Sequence, residues 1–100
     1  AIGSALQLEQ DVPGRIHARG EAGRLTREGA TRVGGRIPVN ASGGLACFGE
    51  AVPAQAISQV CELTWQLRGE AGDRQVAGAR VGITANQGLF GHGSSVIVRR

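Results

Sequence analysis

The residues that decide the fold run from Ile37 to Arg68 and read IPVNASGGLACFGEAVPAQAISQVCELTWQLR. A short apolar segment leads into a polar, glycine-bearing turn over residues 40–44, and then into the longest helical pattern of the chain. We predict that this helix extends from about Pro53 to Arg68. A turn that precedes a helix presents backbone N–H groups where partial positive charge favours an anionic or polarised group. The junction is therefore a plausible place for chemistry.

Polar side chains recur at helical spacing along one side of the predicted helix: Gln55, Gln59, Glu62 and Gln66. Apolar and small residues occupy the remaining circumference, and Cys61 among them is expected in the core. We expect the polar stripe to face solvent. A helix that is apolar around most of its circumference packs against more than one layer. Because 100 residues offer little to pack on both sides, the pattern predicts a covering partner.

The first part of the chain is less regular. Residues Ala1 to Gln10 show a moderate amphipathic pattern that predicts a helix. Residues 13–36, rich in glycine and arginine, read as a long irregular loop, and such loops in compact domains are generally functional or covered by a partner. His17 lies in this loop, where a lone histidine is usually solvated. The chain has no initiator methionine and begins within a helical pattern, so we expect a fragment of a larger protein.

The last part of the chain reads as two strands. Gly69 and Gly72 are expected to end the long helix. Residues 79–85 and 94–98 alternate in the manner of strands, and a glycine-rich loop over residues 86–93 separates them. This order predicts a C-terminal antiparallel hairpin.

Composition limits the class of protein. The chain is 41% hydrophobic and 19% charged, which indicates one folded domain with a core. Its net charge of +3 comes from arginines that are interleaved with acidic residues, with no aromatic stacking platform, so we expect no nucleic-acid partner. Cys47 and Cys61 show no metal-ligand spacing, and we expect no metal site. No apolar run approaches the roughly 20 residues that span a bilayer. We expect a cytoplasmic protein without membrane contact.

The segment Gly43 to Ala56, GGLACFGEAVPAQA, resembles the G-G-x-x-x-x-G-H-P-x-G-A-T/S-G segment of thiolases. Residues 62–82 are similar to the stretch after that segment in the lipid-transfer-protein (SCP-x-like) branch of the superfamily. Glu50 takes the place of the motif histidine, with Ala51 after it instead of proline and Pro53 instead of glycine. The resemblance implies an α/β fold, the C-terminal half of a thiolase-like αβαβα sandwich, with a mixed sheet, a buried helix and a C-terminal antiparallel hairpin. Residues 1–100 would form one partial domain.

The resemblance also implies a function. This would be the C-terminal portion of an acyl-CoA enzyme that performs acyl transfer or carbon–carbon cleavage on a lipid or steroid side-chain thioester. Coenzyme A thioester would be the substrate, with no covalently bound cofactor. As a carboxylate, Glu50 would act as a general base. In the hairpin loop, where the branch shows H-N-x-G, this chain has Ala85-Asn86-Gln87-Gly88. The implied catalytic residues are Glu50, Asn86 and His92, and the implied substrate-binding residues are Asn40, Ser42, Gly43, Gly44, Cys47, Phe48, Gly88 and Phe90.

The partners implied by the resemblance are an N-terminal thiolase half, a second copy in a homodimer of the full-length protein, and a protein with an OB-fold and a zinc ribbon (DUF35-type). Two alternatives stay open. The chain can belong to a catalytically silent thiolase-fold subunit that packs on an active partner. It can also be a small α/β binding domain, with Cys47 or Cys61 as a redox thiol.

Overall fold

The computed structural model describes residues 20–50 and 53–100. The predicted helix over residues 1–10 and the loop residue His17 lie outside them. In chain order the described residues form helices α1 (Ala22–Arg27), α2 (Leu45–Phe48) and α3 (Ala54–Arg68), a 3-10 helix (Gly72–Arg74), strands β1 (Val81–Ile83) and β2 (Asn86–Gln87), a 3-10 helix (Leu89–Gly91), and strands β3 (Gly93–Ser94) and β4 (Ile97–Arg99).

Helix α3 confirms the predicted long helix, and its end follows the sequence signal. Gly69 adopts a left-handed conformation with φ 74° and ψ 25°, which costs glycine little because it has no Cβ. The Gly69 N–H donates to the Gln66 carbonyl at 3.2 Å, and the Glu70 N–H donates to the Trp65 carbonyl at 2.8 Å. These bonds satisfy carbonyls that the helix leaves without partners and fix the direction in which the chain leaves it.

The four strands form the predicted antiparallel hairpin, which is divided into two ladders. Strand β1 pairs with β4, and β2 pairs with β3. Between the ladders, the Thr84 N–H donates to the Val96 carbonyl at 2.9 Å, while the Val96 N–H donates to the Thr84 hydroxyl at 3.0 Å. The side chain of the buried Thr84 thus takes one backbone position and separates the two ladders. The prediction of a loop over residues 86–93 is wrong for Asn86–Gln87 and for Gly93, which lie in strands. All strand pairs among the described residues are antiparallel.

Helix α3 packs on the outer ladder of the hairpin, in contact with β1 and β4. A Cβ placed on Gly82 would lie 2.6 Å from Leu63 Cδ2, so glycine permits this close approach. The chain that leaves the helix turns back beneath it, where Leu67 and Ala71 are buried. Within the described residues, the long helix α3 and the hairpin are therefore the two elements that pack on each other.

Helix α3 turns the opposite face to solvent from the one that we expected. Gln55 and Gln66 are only 8% and 6% exposed, whereas Ile57 is 68% and Trp65 44% exposed. Cys61, expected in the core, is exposed as well. The expected orientation is wrong because Gln55 and Gln66 donate hydrogen bonds within the chain, to Asn86 and to Arg74, and these bonds offset part of the cost of burying a polar group.

The part of the predicted loop that the structure describes is also more regular than expected. Helix α1 lies within it, and Gly20 and Gly29, both with positive φ, bracket the helix. Arg24 lies 2.9 Å from the Glu21 carboxylate and 3.1 Å from that of Glu28. Such pairs at i,i+3 and i,i+4 support a short helix. The prediction of an irregular segment is therefore wrong for Ala22–Arg27.

Candidate functional site

The glycine-bearing turn that precedes α2 has the capping geometry predicted from the sequence. The Gly43 N–H donates to the Asn40 carbonyl at 2.8 Å, and the Gly44 N–H donates to the Ser42 hydroxyl at 3.3 Å. Asn40 has φ 50° and Gly43 has φ 91°, conformations that asparagine and glycine accept most readily. Turn chemistry thus explains why these residue types occur here.

Cys47 packs against the backbone of this turn. A Cβ on Gly43 would overlap Cys47 Sγ, so the thiol lies close against the glycine. Cys47 itself is exposed. Gly49, with φ 80°, follows the last residue of helix α2 and caps it. The Gly49 N–H donates to the Leu45 carbonyl at 2.8 Å. Glu50 comes immediately after it and is exposed. The side chain of Phe48 lies outside the described atoms.

The hairpin loop is the second segment that carries predicted site residues. The Gly88 N–H donates to the His92 carbonyl at 2.6 Å and closes the loop. Phe90 at its apex is 97% exposed and adopts φ 59° and ψ 29°, an uncommon conformation for a bulky residue. The side chain of His92 is exposed.

A hydrogen bond between two side-chain amides joins α3 to this loop. Gln55, in the first turn of α3, donates from Nε2 to Asn86 Oδ1 at 3.1 Å. Gln55 Oε1 is buried and has no partner among the described residues. The start of the helix, which comes after the Glu50 segment in sequence, is thereby fixed to strand β2.

The structure brings some predicted residues together and leaves others apart. Asn40, Ser42, Gly43, Gly44 and Cys47 share one turn, and Asn86 and Gly88 share one loop with Phe90 and His92. Within residues 20–50 and 53–100, no hydrogen bond or ion pair joins the side chain of Glu50 or His92 to another residue. Gln55 was not predicted as a site residue. It stands where the thiolase segment has threonine or serine, and this departure was the available signal.

A second polar cluster lies at the other end of α3. Gln66 Nε2 donates to the Arg74 carbonyl at 2.8 Å, and the Val76 N–H donates to Gln66 Oε1 at 2.8 Å. Arg74 Nε lies 2.9 Å from the Glu62 carboxylate, and the guanidinium lies 5.7 Å from the Trp65 ring centroid. Burial opposes ionisation of Glu62, but hydrogen bonds from Arg74 and Gln66, with the charge of Arg74, lower its pKa overall. This cluster fastens the returning chain to the helix.

The available groups limit the chemistry. A carboxylate can accept a proton, and an amide can donate a hydrogen bond to a carbonyl or enolate oxygen. The described residues contain no group of three or more His, Cys, Asp or Glu side chains that could hold a metal ion. None of the helices in the described ranges has the length and apolar character needed to cross a membrane.

Comparisons with known proteins identify relatives. The profile of the "thiolase C-terminal domain-like" family matches residues 4–100. An acetyl-CoA acetyltransferase of Methanothermobacter thermautotrophicus is 51% identical over 78 residues, 78% of this chain and 20% of that protein. Sterol carrier protein 2 of Rattus norvegicus is 47% identical over 72 residues, 72% of this chain and 13% of that protein.

A third relative is less similar in sequence. The non-specific lipid-transfer protein-like 2 of Caenorhabditis elegans is 35% identical over 74 residues, 74% of this chain and 18% of that protein. The chain thus spans at most a fifth of the length of these relatives. The resemblance seen in the sequence is confirmed, and the mixed helix and strand content agrees with it. This chain belongs to the thiolase C-terminal domain-like family.

Proposed function

We propose that the chain supplies the C-terminal part of an active site that acts on a coenzyme A thioester. The reaction is acyl transfer, or carbon–carbon bond cleavage of a lipid or steroid side-chain thioester. The names of the relatives, an acetyl-CoA acetyltransferase and sterol carrier proteins, support this substrate class. The protein works without a covalently bound cofactor, in the cytoplasm.

One observation carries the proposal. The hydrogen bond between Gln55 and Asn86 fixes the start of α3 to the hairpin, and the two segments that carry the candidate residues adjoin these two positions. Glu50 precedes the helix start, while Gly88, Phe90 and His92 come after Asn86 in the loop. An active site assembled from two segments needs such a fixed relation between them.

The residues receive distinct roles. Glu50 acts as the general base in place of the motif histidine, Asn86 donates to the thioester or enolate oxygen, and His92 assists proton transfer. The remaining candidates contact the substrate through the turn before α2 and through the hairpin loop: Asn40, Ser42, Gly43, Gly44, Cys47, Phe48, Gly88 and Phe90. A carboxylate base favours retro-aldol cleavage, which needs a base but no acyl-cysteine.

The exposed face of α3 supports a proposal about the covering partner. Ile57, Cys61 and Trp65 succeed one another at helical spacing and are all exposed. With Val96 they border an open groove of about 450 Å3. We propose that an N-terminal thiolase half covers this face, that the full-length protein is a homodimer with α3 in the middle layer of an αβαβα sandwich, and that an OB-fold and zinc-ribbon partner binds it.

The test is Glu50→Gln in the full-length gene product, assayed for turnover of a coenzyme A ester. A general base contributes about 100-fold or more, so kcat should fall by at least about 100-fold. The matched control is Glu70→Gln, since Glu70 is also exposed and lies at the far end of α3. Unchanged turnover in Glu50→Gln would remove this residue from the mechanism.

A second candidate function is a catalytically silent subunit that packs on an active partner. The exposed apolar face of α3 favours a subunit that packs on a partner protein. The replacement of the motif histidine by Glu50 favours a subunit without catalytic activity. Absence of turnover in the purified protein, together with activity of a complex that Glu50→Gln leaves unchanged, would support it. A cooperative, monomeric unfolding transition of residues 1–100 alone would instead favour a small α/β binding domain, with Cys47 or Cys61 as a redox thiol.

A further inference from the structure

We infer that Gln55 is a positioning residue, which holds the Asn86 amide so that its nitrogen is presented to the substrate oxygen. The inference rests on the proposed function. It assigns a role to a residue that the thiolase-like segment does not predict, since Gln55 stands where that segment has threonine or serine. Through this bond, a change on α3 would reach the hairpin loop.

The first step is the direction of the hydrogen bond. Gln55 Nε2 donates to Asn86 Oδ1 at 3.1 Å. An asparagine amide has one acceptor oxygen and one donor nitrogen on opposite prongs. Because the oxygen is engaged by Gln55, the nitrogen is the prong of the Asn86 amide that remains for another partner. Within the described ranges, Asn86 Nδ2 has no acceptor, so it is available to a ligand.

The second step is the burial of Gln55. Its side chain is only 8% exposed, and its Oε1 is buried without a partner in residues 20–50 and 53–100. A buried polar atom without a partner destabilises a protein, so an apolar residue of similar size would suit this position better for stability alone. What distinguishes Gln55 from Gln59, whose Oε1 is also buried without a partner in these ranges, is the bond that Gln55 donates to Asn86.

The third step is a contrast along the same helix face. Gln66 makes three side-chain hydrogen bonds, to Glu62, Arg74 and Val76, which fasten the returning chain. Gln55 instead donates to the side chain of a predicted site residue. The two buried glutamines of α3 thus have different partners. Gln66 binds backbone groups of the returning chain, and Gln55 binds the side-chain amide of Asn86.

The experiment is a double-mutant cycle in the full-length gene product, with turnover of a coenzyme A ester as the first readout and the melting temperature as the second. Gln55→Met keeps the size of the side chain and removes the hydrogen bond. We expect kcat to fall about tenfold, since misplacement of a reacting group by about 1 Å can cost up to about 100-fold. KM should change less than about twofold, and the melting temperature should be unchanged or higher.

The second variant, Asn86→Asp, keeps the oxygen that Gln55 binds and removes the donor nitrogen. Its kcat should fall further than that of Gln55→Met. If Gln55 acts through Asn86, adding Gln55→Met to Asn86→Asp should cause no additional fall, because contacting residues couple in such cycles. Gln59→Met is the matched control, since Gln59 lies on the same stripe and its Oε1 is likewise buried without a partner among the described residues. It should leave kcat unchanged.

The outcomes separate the inference from the proposed function. A wild-type protein without turnover of any coenzyme A ester would overturn the proposed function, and the inference with it. With an active wild type, an unchanged kcat in Gln55→Met would overturn the inference alone. Multiplicative losses in the double variant, or a melting temperature that falls in parallel with kcat, would show a merely structural role and also overturn it.

Discussion

The two faces of helix α3 differ in the way they are covered. The polar face is covered by the chain itself: Gln55 and Gln66 are 8% and 6% exposed, and both donate to residues that lie beyond the end of the helix. The apolar face carries Ile57 and Trp65, which are 68% and 44% exposed. In an isolated domain the apolar face would be the one to bury, since burial of apolar surface is the main favourable term in folding.

The difference indicates that hydrogen-bond partners, together with the apolar contacts of Leu63 and Leu67, decide which face of α3 is covered within the chain. The hairpin offers the amide oxygen of Asn86, and the returning loop offers the Arg74 carbonyl and the Val76 N–H, and the glutamines bond to these groups. The apolar face is thereby left for the partner layer that we propose. Substitutions on the polar face test its coverage by the chain, and substitutions on the apolar face test its coverage by the proposed partner layer.

The largest effect is expected from a charge on the apolar face. Ile57→Asp in the full-length gene product should lower the free energy of unfolding by several kcal/mol, because a partner layer would bury an unpaired carboxylate. Chemical denaturation measures this. The matched control is Val33→Asp, because Val33 is an aliphatic residue with 37% exposure that lies outside the helix. Equal and small effects of the two variants would show that no layer covers α3.

The next largest effect is expected on the polar face. Gln66→Leu removes the partners of the Arg74 carbonyl and the Val76 N–H, and each unsatisfied group costs about 1–3 kcal/mol. We expect a loss of about 3 kcal/mol in local stability. Hydrogen–deuterium exchange over residues 70–78 measures it, because loss of the bond frees the Val76 amide.

A control for this prediction lies on the same stripe. Gln59→Leu removes a buried oxygen that has no partner among the described residues. Exchange over residues 70–78 should therefore stay as in the wild type. Faster exchange in both variants would indicate that any glutamine on the stripe supports the loop, and the specific role of Gln66 would be refuted.

A smaller effect is expected where the helix meets the hairpin. Gly82→Ala would place a Cβ 2.6 Å from Leu63 Cδ2, and such overpacking costs about 1–3 kcal/mol. Leu63 can move in part, so we expect a loss near the lower end, about 1 kcal/mol, measured by chemical denaturation. Gly23→Ala is the control, because a Cβ there meets no atom within 4 Å. It should stabilise α1, since alanine favours a helix over glycine by about 1 kcal/mol.

Much of this fold can be predicted from local sequence signals. The helical spacing after Pro53 predicts α3, the glycine at position 69 predicts its end, and alternation around a glycine-rich loop predicts the hairpin. Each depends on residues that are close in sequence. The division of the hairpin was not predictable, because it depends on Thr84 replacing a backbone group opposite Val96.

Two further features were not predictable from the sequence: the face that α3 turns to solvent, and the hydrogen bond between Gln55 and Asn86. Both depend on contacts between residues that are distant in sequence. Periodicity shows that a polar stripe exists, but not whether distant groups satisfy it. Gln66 reaches Arg74 and Val76, and Gln55 reaches Asn86, through contacts that only the folded chain creates. The turn from Asn40 to Gly44, by contrast, depends on residues within a few positions, and its capping bond from Ser42 was expected.

The smallest effect concerns pH at the polar face. Burial disfavours the charged form of Glu62, yet the hydrogen bonds and charge of Arg74, with the bond from Gln66, lower the pKa of Glu62 below its ordinary value of 4.5. A lowered pKa in the folded state means that the carboxylate stabilises the fold above pH 4.5, and that this contribution is lost as pH falls through the folded pKa. The protection of the amides in residues 70–78, expressed relative to their intrinsic exchange rate at each pH, should therefore fall on acidification in the wild type.

The variant Glu62→Gln separates this effect from general acid unfolding. Without a titrating group at position 62, the protection of residues 70–78 should already be lower at neutral pH and should change less as pH falls below 4.5. Glu70→Gln is the control, because the Glu70 carboxylate pairs with no cation in the part of the chain that the structure describes. A pH profile in Glu62→Gln that matches the wild type would show that the Glu62–Arg74 pair does not fasten the returning chain, and Gln66 would then hold it alone.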